Sequence, residues 1–135
     1  GHKVVAVEQS KILFCLVNDA IQRARDKIPY LNNLEFLNDN SLLAYKKQNK
    51  VFDAIYLDPM YPIIKKSTKK RGSINNIKQI LEIENLASDE EEIIDIFMKY
   101  NYKKIIVKRP LKSEKKYSNI NYQVKGKTTR FDIYI

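Results

Sequence analysis

Hydrophobic residues occur along this chain in two kinds of pattern. Short apolar runs alternate with stretches in which apolar residues recur every three or four positions. The runs are typical of β-strands and the wider spacing is typical of amphipathic helices. The predicted strands are residues 4–8, 34–37, 54–57 and 104–107. The predicted helices are 11–27, 74–81 and 88–100, and residues 42–47 are predicted to form a short helix or a turn. Strands that alternate with helices predict an α/β fold with a parallel sheet, and the wholly apolar run 54–57 predicts a strand covered on both faces.

The first predicted helix has a start signal, a stop signal and an apolar stripe. Ser10 is suited to cap its N-terminus, and Pro29 marks its end. The stripe that we expect to face the core comprises Leu13, Val17, Ala20, Ala24 and Ile28. Cys15 lies in the same apolar stretch, so we expect it to pack in the core and not to act in catalysis.

The chain ends in two further apolar segments, 120–124 and 131–135. Six polar or glycine residues, 125–130, join them. This arrangement predicts an antiparallel C-terminal hairpin with a loop longer than the tight two-residue type.

Composition limits the class of protein. With 135 residues and 44% hydrophobic content, the chain is expected to form a single globular domain over residues 1–135. No apolar run approaches the ~18 residues of a membrane span. The only histidine, His2, and the only cysteine, Cys15, do not form a metal site. A single cysteine fits a reducing cytoplasm.

The net charge of +9 comes from 25 Lys and Arg residues against 16 acidic ones. A charge of this sign favours a polyanionic partner, and nucleic acid is the first candidate. A Lys-rich proteome encoded by an AT-rich genome would give the same charge. The charge alone therefore does not decide between the two explanations.

Polar residues follow three of the predicted strands, at the end where ligands bind in open α/β sheets. In a Rossmann-like sheet these clusters converge on one crevice, where an acid after one strand takes ribose hydroxyls and a polar residue after the next takes the adenine amine. Any of these residues alone would be read as a solvated loop residue, but together they favour a nucleoside cofactor. The candidate cofactor-binding residues are Glu8, Gln9, Asp39, Asn40, Ser41 and Asp58.

The third of these clusters continues as Asp58-Pro59-Met60-Tyr61. The tetrapeptide resembles the Asp-Pro-Pro-Tyr motif of S-adenosylmethionine-dependent amino-methyltransferases. The Asp58 carboxylate and the Pro59 carbonyl can accept the two N–H bonds of an exocyclic base amine and hold its nitrogen in line with a methyl donor. Tyr61 offers a flat face for base stacking. The alternative is a strand followed by a proline-rich turn without chemistry.

Cations cluster near this motif. We call Lys65, Lys66, Lys69, Lys70 and Arg71 the basic segment, and Lys108 and Arg109 follow the fourth predicted strand. In these positions they are expected to contact phosphates of RNA around a target nucleotide. The alternative for the basic segment is a solvated, mobile loop.

Taken together, the motifs resemble the RsmJ-type methyltransferases of ribosomal RNA. The matching segments are 1–10, 56–62, 107–110 and 130–134. The resemblance implies a Rossmann-like class I fold and methylation of guanine N2 in 16S RNA with S-adenosylmethionine. The implied partner is ribosomal RNA or the small ribosomal subunit. It also implies that Glu8, Gln9, Asn40 and Ser41 contact the cofactor, with Asp58 at the junction of cofactor and substrate.

The chain departs from this family in the loop after Lys70 and at two places that bear on cofactor binding. Gln9 stands where the family often has Arg, and nothing matches the Gly-rich strand and turn that hold the methionine end of the cofactor. We therefore expect an N-terminally incomplete domain, lacking the strand between those that end at Glu8 and Leu57. Residues 1–135 alone are expected to be marginally folded, to bind the cofactor very weakly and not to methylate RNA. The rival functions are base amino-methylation of DNA or another RNA, and a non-catalytic RNA-binding remnant.

Overall fold

The computed structural model describes residues 1–59, 72–86, 90–114 and 117–135. The chain divides into two compact units, one within Gly1–Asn49 and Ser67–Ser88 and the other within Lys50–Lys66 and Asp89–Ile135. The elements in order are β1 (Val4–Glu8), α1 (Lys11–Ala24), a 3-10 turn (Pro29–Asn33), β2 (Leu34–Asn38), α2 (Ser41–Gln48), β3 (Ile55–Leu57), α3 (Gly72–Ile83), α4 (Glu90–Phe97), β4 (Ile105–Pro110), β5 (Tyr122–Lys125) and β6 (Thr129–Tyr134). Among the described helices, none is long and apolar enough to cross a membrane.

The first unit contains a parallel pair of strands, β1 and β2, in register from Val4 opposite Leu34 to Glu8 opposite Asn38. The helix between them, α1, begins at the predicted cap. The fully buried Ser10 hydroxyl accepts the Leu13 N–H at 3.1 Å and donates to the carboxylate of Glu84, which follows α3. This cap satisfies an N–H group that the first turn of a helix leaves without an intrahelical partner.

Glu84, which is distant in sequence, also caps the N-terminus of α1. Its Oε1 accepts the N–H groups of Lys11 at 2.9 Å and Ile12 at 3.2 Å. An anion is stabilised there by the partial positive charge of the helix terminus. The start of α1 therefore depends on a local cap and on a carboxylate far away in sequence.

The orientation of α1 differs from the one that the apolar stripe predicted. The Phe14 ring stacks on Phe36 of β2 with centroids 4.9 Å apart, and this contact sets the rotation of the helix against the sheet. Val17 is 45% exposed, and Ala20 and Cys15 are also exposed. The expectation that these three residues face the core was wrong, because the aromatic pair turns a neighbouring face of α1 inward.

The second unit contains a four-stranded mixed sheet in the order β3-β4-β6-β5. Strands β3 and β4 are parallel, whereas β6 is antiparallel to both β4 and β5. The predicted C-terminal hairpin is therefore present. Its loop is shorter than expected, because the strands extend to Lys125 and Thr129 and the Gly126 N–H donates to the Thr129 carbonyl at 2.7 Å. Among the described residues of this unit, the buried apolar side chains are Ile94, Phe97, Ile105, Val107, Ile133 and Tyr134.

Two strands of this sheet differ from the sequence-based expectation. Tyr56 of β3 is 53% exposed, so β3 is not covered on both faces. Strand β4 does not stop at Val107 but continues to Pro110, which is opposite Thr129. The extension has a physical reason, because β6 supplies hydrogen-bonding partners to this end of β4.

Among the described residues, β1 and β3 are each the end strand of their sheet. These are the two strands for which the sequence predicted an open edge. An unpaired strand edge presents backbone groups that can hydrogen-bond to a further strand.

Candidate functional site

The first unit brings together the polar residues that follow β1 and β2. The Asn38 side-chain amide donates to the carbonyls of Glu8 at 2.9 Å and Gln9 at 3.2 Å, tying the two strand ends together. Oε1 of Glu8 accepts the Ser10 N–H at 2.7 Å. The Asn40 amide lies 3.4 Å from Oε1 of Gln9. Asn38 and four of the predicted cofactor residues thus form one polar edge at the carboxyl ends of the two strands. The four are Glu8, Gln9, Asp39 and Asn40.

Asp39 is held from two sides within this edge. It accepts the Asn40 N–H at 2.8 Å and the Lys47 ammonium at 2.6 Å. The hydrogen bond from Lys47, followed by that from the Asn40 backbone, lowers the pKa of the Asp39 carboxyl. Asp39 is therefore an ionised acceptor at neutral pH.

Asn40 and Ser41 form the start of α2. The Asn40 side chain caps the helix by accepting the N–H groups of Leu42 at 3.0 Å and Leu43 at 3.3 Å, and Ser41 is the first helical residue. The Asn40 side-chain oxygen is thus engaged by the backbone. The contribution of Asn40 to ligand binding would therefore come from its side-chain N–H groups.

The second unit places Asp58 next to Lys108 at the carboxyl end of the parallel pair β3–β4. Lys108 Nζ lies 2.8 Å from Oδ2 of Asp58, and the Tyr56 hydroxyl lies 3.4 Å from the same oxygen. The Asp58 side chain is 46% exposed and that of Lys108 37% exposed, so the pair is open to solvent. The hydrogen bond to Asp58 raises the pKa of the Lys108 ammonium. Burial, and then the charge of Asp58, raises the pKa of the Tyr56 phenol.

The Arg109 side chain is buried, whereas we expected it to be exposed. Its side chain is 3% exposed, and it is paired with Glu91 at 2.8 Å and with Asp132 at 3.6 Å. We expected an exposed cation available to RNA phosphates, and the structure places the side chain in an internal network instead. The reason is the alternation along β4, because Arg109 follows Lys108 and points to the opposite, buried face.

Arg130 belongs to the same buried network and fixes the segment after β4. Its Nε donates to Asp132 at 2.9 Å. Its terminal nitrogens donate to the carbonyls of Leu111 at 3.0 Å, Ser113 at 2.7 Å and Glu114 at 3.1 Å. The sequence did not predict this role for Arg130, and only its alternation with Phe131 could have indicated a buried position.

The remaining predicted site residues have mixed outcomes. Pro59 is half-buried beside Asp58. Tyr61 and the basic segment lie outside the described residues. In the described ranges, no group of three or more His, Cys, Asp or Glu side chains is placed to hold a metal ion. The pairing of Asp58 with Lys108, and the contribution of Asn38 and Tyr56, were missed by the sequence reasoning, because each depends on strand register.

Comparison with known proteins gives related matches at the level of family, sequence and structure. A family model of SAM-dependent methyltransferases matches residues 1–135. Ribosomal RNA small subunit methyltransferase J of Francisella tularensis subsp. novicida is 35% identical over 142 residues, and the protein of that name from Francisella philomiragia is 33% identical over 139 residues. Each alignment covers 99% of this chain and 57% of the relative, so the chain spans a little over half the length of these curated relatives.

The crystal structure of a SAM-dependent methyltransferase from Neisseria gonorrhoeae superposes with a TM-score of 0.65 at 27% identity, covering 98% of this chain and 52% of that one. The matches confirm the resemblance to RsmJ-type enzymes, the Rossmann-like α/β fold and S-adenosylmethionine as the cofactor. The chain belongs to the family of S-adenosylmethionine-dependent methyltransferases.

Proposed function

We propose that this chain is the catalytic part of an enzyme that methylates guanine N2 in small-subunit ribosomal RNA. The observation that carries the proposal is the solvent-accessible Asp58 carboxylate, followed by Pro59, at the carboxyl end of a parallel strand. The names of the relatives, which are small-subunit ribosomal RNA methyltransferases, support this class of substrate. Methylation of ribosomal RNA would take place in the cytoplasm.

The guanine amine is a weak nucleophile because its lone pair is delocalised into the ring. We assign its two N–H groups to a carboxylate oxygen of Asp58 and to the Pro59 carbonyl, which would fix the nitrogen in a position to react. When bound, S-adenosylmethionine would supply the methyl group: the nitrogen lone pair would form the new bond to the methyl carbon, and the carbon–sulfur bond would break with its electron pair going to sulfur. The proton that nitrogen then carries passes to water or to Asp58, so no strong base is required.

The polar edge of the first unit fits the nucleoside part of the cofactor. Its polar groups are two carboxylates, Glu8 and Asp39, which accept hydrogen bonds, and the amides of Gln9 and Asn40, with Ser41 next to them. Of the two carboxylate oxygens of Glu8, Oε1 accepts a hydrogen bond from the Ser10 N–H, whereas Oε2 has no partner among the described residues. Oε2 is therefore available to a ribose hydroxyl. We assign the adenine amine to the Asp39 side of the edge, where the Asp39 carboxylate is the acceptor.

Ribosomal RNA would be held by stacking and by charge. We assign base stacking to Tyr61 and phosphate contacts to the basic segment. Arg109 is left out of this set because its side chain is buried and paired. No metal ion has a role in this mechanism.

The test is methyl transfer to small-subunit RNA that lacks the modification, by protein with the length of the curated relatives. Nucleoside mass spectrometry should detect N2-methylguanosine with the wild type, and Asp58→Ala should nearly abolish it while keeping a cooperative melt. Asp53→Ala is the matched control, because Asp53 is an exposed aspartate of the same unit that also pairs with a lysine, Lys103. Methylation of DNA or of another RNA would support the rival enzyme, and RNA binding without methyl transfer would support the non-catalytic remnant.

A further inference from the structure

The Asp58 carboxylate is contacted asymmetrically. Lys108 Nζ at 2.8 Å and the Tyr56 hydroxyl at 3.4 Å both donate to Oδ2. No donor among the described residues contacts Oδ1. A carboxylate that is held through one oxygen has a defined orientation and keeps the other oxygen for a ligand.

Strand register produces this arrangement. The parallel pairing of β3 and β4 ends with Leu57 opposite Val107, so the next residues, Asp58 and Lys108, are neighbours across the two strands. Lys108 lies on an inner strand of the sheet, between β3 and β6, where its partner on β6 is Phe131. A group on a rigid inner strand is held more accurately than one on a loop.

Phe131 also lies close to Tyr56, the other residue that contacts Asp58. Its ring centroid lies 6.3 Å from that of Tyr56, whose hydroxyl contacts Asp58. Tyr56, Lys108 and Phe131 therefore form a continuous surface on one face of the sheet, next to the carboxylate.

We propose that Lys108 is a positioning residue, which holds Oδ2 of Asp58 so that Oδ1 faces the amine of the target base. This inference rests on the proposed function. It divides the two carboxylate oxygens between enzyme and substrate, with the second N–H of the amine going to the Pro59 carbonyl. It also differs from the phosphate contact that the sequence predicted for Lys108, since it assigns the ammonium to Asp58.

The experiment compares Lys108→Met with Lys103→Met in protein with the length of the curated relatives. Lys103 also pairs with an aspartate, at 2.6 Å from Asp53, but this pair is far more exposed. The two variants lose the same charge, so any general effect on RNA attraction is matched. The readouts are kcat, KM for small-subunit RNA, the salt dependence of RNA binding and the affinity for S-adenosylhomocysteine.

We expect Lys108→Met to lower kcat about tenfold to a hundredfold relative to Lys103→Met, the scale of a misplaced reacting group. KM for RNA, the salt slope and the affinity for S-adenosylhomocysteine should match those of Lys103→Met. Lys108→Arg should recover part of kcat, because it retains a cation beside Asp58. If Lys108→Met fails to fold, Lys108→Gln serves in its place and should also lower kcat, because it loses the charge.

Two results would overturn the inference. One is a kcat equal to that of the control variant. The other is a loss confined to KM, with a salt slope smaller by about one, which would make Lys108 a phosphate contact. Failure of the proposed function is a separate outcome, because then the wild type would not form N2-methylguanosine at all.

Discussion

Replacing Asp132 by Asn should strongly destabilise the second unit. The Asp132 side chain is 1% exposed and lies between Arg109 and Arg130, each 3% exposed. Arg130 Nε is 2.9 Å from Oδ1, Arg109 Nε is 3.6 Å from Oδ2, and Gln123 donates to Oδ1 at 2.6 Å. Asp132 therefore supplies negative charge to two cations that are removed from water.

The expected loss follows from the charges that remain. Without the Asp132 charge, Arg130 would lose the carboxylate 2.9 Å from its Nε, and Arg109 would keep Glu91 at 2.8 Å. Removing one partner of a buried ion pair costs about 3–5 kcal/mol. Asn keeps one acceptor oxygen, so we expect the lower end, about 3 kcal/mol, which is a large part of the 5–15 kcal/mol that stabilises a typical domain.

Urea unfolding followed by far-UV circular dichroism measures this loss, and amide hydrogen exchange in β4 and β6 locates it. Asp53→Asn is the control, because Asp53 is 92% exposed in its pair with Lys103 and its loss should leave stability unchanged within error. A free energy of unfolding for Asp132→Asn within about 1 kcal/mol of the wild type would refute the argument that Asp132 compensates two buried charges.

Three further results are expected. Ser10→Ala should lower the free energy of unfolding by about 1–2 kcal/mol, because it removes the cap of α1 and a donor to Glu84; urea titration measures it, and an unchanged midpoint would contradict it. Burial and the hydrogen bond to Asp95 raise the pKa of the Tyr117 phenol, so its contribution to stability is present below the usual tyrosine pKa of about 10 and is lost as pH rises above it. Tyr117→Phe should therefore weaken the alkaline loss of stability in thermal melts from pH 8 to 11, and an identical pH profile would argue against this. Neutralising two cations of the basic segment should reduce the slope of log RNA affinity against log salt by about one per lost phosphate contact, whereas an unchanged slope would leave the segment as a solvated surface.

Local sequence patterns were enough to predict most of the elements and the family. Ser10 as a helix cap, the C-terminal hairpin and the polar residues after β1, β2 and β3 all follow from signals that act over a few residues. Hydrophobic period, capping and turn chemistry are properties of short segments, so they can be recognised before the fold is known. The motif that includes Asp58 and Pro59 is continuous in sequence, and this is why the likeness to a methyltransferase was visible.

Only the tertiary structure decided which of these residues meet. Asp58 and Lys108 are 50 positions apart, and Ser10 and Glu84 are 74 apart. Their contacts depend on strand register and helix placement, which result from packing over the whole unit and leave no local signal. The same reason explains the buried position of Arg109. A shift of one residue along a strand reverses the face to which a side chain points. The sequence identified Lys108 and Arg109 as neighbouring cations, but the register of β4 placed Lys108 beside Asp58 and Arg109 on the buried face.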